Sequence, residues 1–326
     1  MFRKLTLAAA AASLATAGLA ADLPSKKSVA APAADEASAI HGFMDIGYAN
    51  GRVTGGGFPL YKSGAVLMQS DMGVAVDLYK SKTGFINSVS AFAGVWAESL
   101  NNPGAGYKRM QEYDWWAGAS IGFADYFKLT AQSLQFQLQS TEIANPKPQA
   151  VVKNATVTLA YDDAHLGLPI ALNPSVTVFY NLDGGVSAMG WGKTDTYRVD
   201  LAIAPGYSFQ KSMGVPLSIS VPTSVSLGPT NMYYLASYKG CGAGATGVKG
   251  VGTVCSTNTF EMFSTGLQAK YDLGQFVPKK FGAWSLKAGV QYYQLLSDAV
   301  KANQGGTVAS RKSNSTIISA GLGVSF

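Results

Sequence analysis

Trp284-Ser285-Leu286-Lys287-Ala288-Gly289-Val290-Gln291-Tyr292-Tyr293 and Ile318-Ser319-Ala320-Gly321-Leu322-Gly323-Val324-Ser325-Phe326 follow one rule: an apolar side chain at every second position, polar or tiny ones between. Successive side chains of an extended strand point to opposite faces, so each stretch reads as a strand with a greasy face and a polar face. The same period of two dominates the chain from Ala39 onward. Repeating the test predicts strands near 41–50, 65–79, 85–97, 110–123, 126–139, 151–161, 174–182, 194–208, 215–227, 258–271, 283–296 and 314–326. Near 126–139 the phase switches: Phe127, Leu129 and Ala131 share one face, whereas Leu134, Phe136 and Leu138 take the other parity. A β-bulge after Gln132 would reconcile them. Pro222 cannot donate to a ladder, which marks the segment 215–227 as the weakest of the set.

The connections between these segments alternate in length. The gaps 51–64, 98–109, 140–150, 183–193, 228–257 and 297–313 are long, and 80–84, 124–125, 162–173, 209–214 and 272–282 are mostly shorter. An even number of strands with long and short connections in alternation is the topology of an outer-membrane barrel, whose termini lie on the short-turn side. The gaps 162–173 and 272–282 are long for such turns. Composition points the same way. Only 13% of residues are charged, 37 are glycine, and no segment after the N-terminus approaches the ~20 consecutive apolar residues of a membrane helix. The expected fold is an all-β, transmembrane, antiparallel up-and-down barrel of about twelve strands over residues 39–326. Closure follows from energetics, because an open strand edge in hydrocarbon leaves backbone groups unpaired at several kcal/mol each.

The N-terminus reads as an address. Arg3 and Lys4 precede an Ala- and Leu-rich run, and Gly18-Leu19-Ala20 offers a small-residue cleavage site, so residues 1–20 are expected to be a secretory signal peptide. Residues 21–38, rich in Ala, Pro, Ser and Lys, read as a flexible periplasmic lead. Without Arg3 and Lys4 the 25 basic residues fall to 23 against 19 acidic ones, a net +4, too mild to imply nucleic acid. Cys241 and Cys255 suit an oxidising compartment and bracket a glycine-rich stretch. A disulfide is preferred to a metal pair there, since neither His41 nor His165 lies near them in sequence. Its ~15-residue loop would contribute about 3 kcal/mol in the chain-entropy model.

A C-terminal strand ending on Phe326, on the apolar face, resembles the assembly signal of bacterial outer-membrane proteins and implies the barrel-assembly machinery as a partner. Ala21-Asp22-Leu23-Pro24, and Gly84-Phe85 followed by Gly94-Val95-Trp96-Ala97-Glu98-Ser99, resemble the TorF-type porins of the alphaproteobacterial outer membrane, over the first third of the barrel and the final strand. The resemblance implies the barrel fold more than any substrate. Aromatic residues near strand ends, Tyr48, Tyr113, Trp115, Phe123, Phe127, Tyr161, Tyr180, Tyr197, Phe263, Tyr271, Trp284 and Tyr292, read as girdles at the two membrane–water interfaces.

If the apolar face meets lipid, the other parity lines the interior. It carries Asp45, Gln69, Asp71, Asp77, Glu98, Asp114, Lys128, Gln132, Arg198, Asp200, Gln268, Lys270, Lys287 and Gln291, with Phe92, Trp96, Trp116, Phe179 and Tyr293. Charges in a dry core would need full pairing, so this interior implies water. Twelve strands give a lumen between the filled eight-stranded barrel and the open sixteen-stranded porin. The expected function is passive diffusion of small hydrophilic solutes across the outer membrane of a Gram-negative bacterium. The rival is a closed barrel that anchors and displays its loops. The long connections are basic, with Lys108, Arg109, Lys193, Lys239, Lys249, Arg311 and Lys312. Such a rim would attract anionic solutes or grip lipopolysaccharide phosphates. No cofactor is expected, and a homo-oligomer stays open. Catalysis is not expected either. His165 precedes Ser175 by ten positions, a spacing similar to the outer-membrane phospholipase dyad, but the Asn and Arg residues of that family are missing around it. His41 has no nucleophile near it in sequence.

Overall fold

A computed structural model describes residues 39–53, 59–60, 66–101, 110–138, 150–168, 170–184, 196–228, 260–297 and 313–326. Twelve antiparallel strands form a closed barrel. They are β1 (Ile40–Ala49), β2 (Leu67–Lys80), β3 (Ile86–Leu100), β4 (Met110–Phe123), β5 (Phe127–Leu138), β6 (Ala150–Tyr161), β7 (Ser175–Gly184), β8 (Thr196–Ile203, resuming at Gly206–Ser208), β9 (Leu217–Ser220, resuming at Thr223–Leu227), β10 (Phe260–Asp272), β11 (Ala283–Leu295) and β12 (Asn314–Ser325). Each pairs with its neighbours in sequence, and β12 returns to β1 with Phe43 opposite Ser325 and Ala49 opposite Ser319. Gly42 and Phe326 finish that seam, each N–H donating to the other's carbonyl at 2.8 and 3.0 Å. Among the described residues the twelve strands therefore pair all the way round the ring. The twelve predicted segments match the twelve strands to within a few residues.

Three details differ from expectation. The register through β5 is uninterrupted from Phe127 to Leu138 against both β4 and β6, so no bulge follows Gln132. Leu134 instead shares the interior face with Thr130 and Gln132, while Ser133 and Gln135 take the outward parity. The phase switches because the outward row leaves its apolar belt there, and the interior row becomes apolar beside Trp116. Register shifts occur elsewhere, at Asp77/Tyr79, Ile86/Ser88, Glu98/Ser99, Lys153/Asn154 and Ser226/Leu227. Second, β9 is indeed split at Pro222, but β8 is split beside it at Ala204–Pro205. The two breaks sit together: Val221 N–H donates to the Pro205 carbonyl at 2.8 Å, and Gly266 N–H to the Pro222 carbonyl at 3.0 Å. Proline has no N–H to give a ladder, so paired breaks on neighbouring strands keep the mismatch local. Third, the connection 162–173 is no loose turn. Buried Asp163 accepts from the Leu172 and Asn173 N–H groups at 2.8 and 2.9 Å, and Asn173 Nδ2 donates to the Ala204 carbonyl at 3.2 Å.

The connections after β2, β4, β6, β8 and β10 define one rim. The tightest is the β4–β5 turn, where Ala124 and Asp125 both adopt positive φ (47° and 63°), the conformation that matches the twist of a two-residue hairpin. The other rim bears the long connections, most of which fall outside the described residues, as do residues 1–38, Cys241 and Cys255.

Large apolar side chains face outward around the ring. Met72, Val74, Leu129, Leu159, Val178, Leu201, Leu267, Leu286, Ile318 and Leu322 are all exposed. Near the short-turn rim Phe85, Phe123, Phe127 and Tyr161 form a chain of ring contacts, with centroids 5.7, 5.5 and 4.9 Å apart. Toward the other rim Tyr48, Tyr113, Trp115, Tyr197 and Tyr292 are outward and exposed.

Candidate functional site

The interior is the candidate site, and its two sides are built differently. On β1–β4 the inward rows carry Phe43, Phe92, Trp96 and Trp116 together with Asp45, Asp71, Asp77, Glu98, Glu112 and Asp114. Trp116 is 2% exposed. Its ring stacks on Phe43 at 5.9 Å and tilts against Phe92 at 5.9 Å. It also lies against the wall, because the cross-strand positions beneath it are glycines. A Cβ on Gly94 would fall 2.2 Å from Trp116 Cζ2 and 2.4 Å from the Met72 carbonyl oxygen, and one on Gly73 would fall 2.5 Å from Trp116 Cη2. Gly118 makes the same room for Phe92, whose Cζ is 2.7 Å from its virtual Cβ. Glycine here is a dimple in the wall, and it lets bulky rings lie flat instead of crossing the lumen.

The carboxylates of this wall are held closely. Glu98 is fully buried and accepts from Gln69 Nε2 at 2.7 Å. It stands opposite Glu112 in the β3–β4 register, while Trp96 stands between Asp71 and Asp114. Near the short-turn rim His41 Nε2 meets Asp77 Oδ2 at 2.7 Å, and Lys80 pairs with the same oxygen.

The facing side, β6–β12, is lined mainly by small residues: Thr158, Ala160, Ser175, Thr177, Ala202, Ser224, Gly289, Ser319 and Gly321, none of them buried. Hydroxyls bridge neighbouring strands there, with Thr158 to Thr177 at 2.9 Å and Ser224 to Ser264 at 2.8 Å. Arg198, Lys270 and Lys287 sit on this side. Lys270 stands opposite Lys287 in the β10–β11 register, and Lys287 Nζ donates to Asp45 Oδ1 at 2.8 Å across the closing strands. Toward the long-loop rim the same side tightens. Arg198 is 4% exposed, donates to Asp200 Oδ2 through Nη2 at 2.8 Å, and lies 5.1 Å from the Phe179 ring centre. Asn154, Asn181, Glu261, Gln291 and Tyr293 are buried around that level.

All the residues expected to line the lumen occupy the interior parity. Asp45, Gln69, Asp71, Asp77, Glu98, Phe92, Trp96, Asp114 and Trp116 fall on the aromatic side. Lys128 and Gln132 lie on β5 between the two sides, and Phe179, Arg198, Asp200, Gln268, Lys270, Lys287, Gln291 and Tyr293 on the facing side. Sequence reasoning missed Phe43, Glu112, Asn154, Asn181 and Glu261. Parity alone would have found Phe43 and Glu112, each two residues before an expected lumen aspartate. It also missed the His41–Asp77 contact. His165 lies at the short-turn rim, where Nδ1 meets the Asp162 carbonyl at 2.8 Å, Nε2 meets the Tyr161 hydroxyl at 3.2 Å, and the ring stacks on Tyr126. Ser175 faces the interior on β7. Among the described residues no group of three His, Cys, Asp or Glu side chains could hold a metal ion.

No protein-family model matches this chain, and no curated protein matches it. Among solved structures it is similar to the transport unit of the autotransporter AIDA-I from Escherichia coli, at 10% identity over 98% of this chain and 96% of that one, with a TM-score of 0.41. It is similar to the NanC porin at 10% identity over 87% of this chain and 98% of that one, TM-score 0.39. It is also similar to a FadL homologue from Pseudomonas aeruginosa at 10% identity, over 88% and 90% of the two chains, TM-score 0.38.

Proposed function

We propose that this chain is a β-barrel of a Gram-negative outer membrane and that it conducts small hydrophilic solutes by passive diffusion. One observation carries the reading: the closed ring turns a continuous belt of large apolar side chains outward and keeps most of the charges of its strands inward. Soluble proteins rarely expose contiguous apolar patches beyond a few hundred Å², whereas here the apolar face runs around the barrel. Along β4 the outward row from Phe123 to Trp115 covers about 27 Å of strand, about 21 Å of height at a tilt near 40°, comparable with the ~25 Å apolar band of membrane barrels. Beyond Trp115 its register neighbours are Gln135 and Lys153, where the wall turns polar.

Water inside the barrel fits the interior chemistry. Both amide atoms of Asn154 and of Gln291, and Gln268 Nε2, are buried with no hydrogen-bond partner among the described residues. Such groups are costly unless solvent satisfies them. Solute passage would follow the small-residue side, between carboxylates on β1–β4 and the bases Arg198, Lys270 and Lys287 opposite. The reading assigns no chemical step to the protein. On it, the long-loop rim meets lipopolysaccharide, the wall meets lipid, and the barrel-assembly machinery inserts the chain. A closed barrel is the second reading, and the tight level around Arg198, Glu261 and Tyr293 favours it. Single-channel recording in planar bilayers decides between them: discrete ohmic steps are expected, and persistent silence of folded, inserted protein would eliminate conduction.

A further inference from the structure

The turn between β10 and β11 contains Phe276-Val277-Pro278-Lys279-Lys280-Phe281, two aromatic residues bracketing two lysines. Phe276 and Phe281 are 68% and 62% exposed. The turn is nevertheless well held. Phe276 N–H donates to the Leu273 carbonyl at 2.8 Å, Gly282 N–H to the Lys279 carbonyl at 3.0 Å, and the Trp284 indole N–H to the Phe281 carbonyl at 2.8 Å. Gly282 presses the turn onto the closing strand: at its φ of 95° a Cβ would fall 2.7 Å from Val324 Cγ2 and 3.0 Å from the Ser325 carbonyl oxygen. Phe326 lies next to it, 73% exposed, with its ring over Gly42. Lys280 Nζ sits 5.0 Å from the Phe281 ring centre. Neither Lys279 nor Lys280 pairs with a carboxylate among the described residues.

From this arrangement we infer that the turn is a docking site for the headgroups of anionic phospholipids in the leaflet at the short-turn rim, and that bound lipid clamps the seam between β11, β12 and β1. The inference rests on the membrane reading above. Two features select lipid as the occupant. The turn continues the outward row of β11, Trp284, Leu286 and Val290, at the end where that row leaves the hydrocarbon. Exposed aromatic rings suit that boundary, with their bodies in the acyl region. The charge selects the headgroup: lysines flanked by such rings place ammonium groups at phosphate depth, where a zwitterionic headgroup gives little net attraction and an anionic one gives about fivefold in binding per lysine.

The full-length protein, folded in neutral detergent and titrated with phosphatidylglycerol or phosphatidylcholine, tests this by native mass spectrometry. The wild type should retain phosphatidylglycerol preferentially. K279Q/K280Q should lower that preference on the order of 30-fold, K279R/K280R should keep it, and K82Q, on a neighbouring turn of the same rim, should leave it unchanged. The wild type should also melt at higher temperature with phosphatidylglycerol than with phosphatidylcholine, and K279Q/K280Q should lose that difference. Equal retention of the two lipids by the wild type, or full preference in K279Q/K280Q, overturns the site. A protein that stays soluble and folded without detergent overturns the membrane reading itself, a separately recognisable failure.

Discussion

The two sides of the interior solve the same problem with opposite means. The β1–β4 side is thick: rings laid over glycine dimples, with carboxylates wedged among them. The β6–β12 side is thin: hydroxyls, alanines and glycines, with a few long cations in reach of water. The difference divides the inner wall by side-chain size. It also separates chemistry: the thick side carries the ring-on-glycine contacts and most of the inward carboxylates, and the thin side carries the smaller side chains. Near the long-loop rim, around Arg198 and Tyr293, the thin side becomes as crowded as the other.

The contrast can be broken most directly by adding one methyl group to each side. Gly94→Ala should destabilise the barrel by about 3 kcal/mol, as overpacking does, because both an indole and a backbone carbonyl stand where the Cβ would go. Gly289→Ala on the thin side meets its nearest atoms at 3.4 Å or more and should stay within about 0.5 kcal/mol. Equal losses in urea unfolding of the two variants would abolish the distinction between the sides. A second pair probes crowding within the thin side. Arg198→Met strands the part-buried Asp200 carboxylate beside a buried position and should cost about 2 kcal/mol. Lys287→Met breaks a pair whose side chains are 34% and 30% exposed, and it should cost less than about 1 kcal/mol. The smallest effect is electrical. Asp71→Asn with Asp77→Asn should shift the reversal potential toward anion preference in 0.1 M salt and lose most of that effect in 1 M salt, where the screening length falls to ~3 Å. An unchanged potential at low salt would remove the thick side from ion selection.

Much of this architecture was readable because a period of two is a geometric property of a single strand. Asp45, Asp71, Asp77, Lys270 and Lys287 could be assigned to the interior from alternation alone, and the twelve strands from its recurrence. What alternation cannot give is the partner across the sheet. That Trp116 rests on Gly73 and Gly94, or that His41 reaches Asp77, depends on register and strand tilt between chain segments tens of residues apart. The bulge expected in β5 failed for a related reason: alternation assumes that one face is apolar along its whole length, and β5 outruns the apolar belt. The break at Ala204–Pro205 was missed because the strand on either side keeps its parity closely enough to read as continuous.

The pairing of Phe43 with Ser325 joins positions almost a whole chain length apart. Loop-closure entropy weighs against such a contact more than against the local hairpins. Until it forms, the molecule is a curved ribbon with two bare margins, β1 on one side and β12 on the other, each a template for sticking to another copy. Closure of the ring is therefore also what removes the surface through which one unfinished copy could zip onto another.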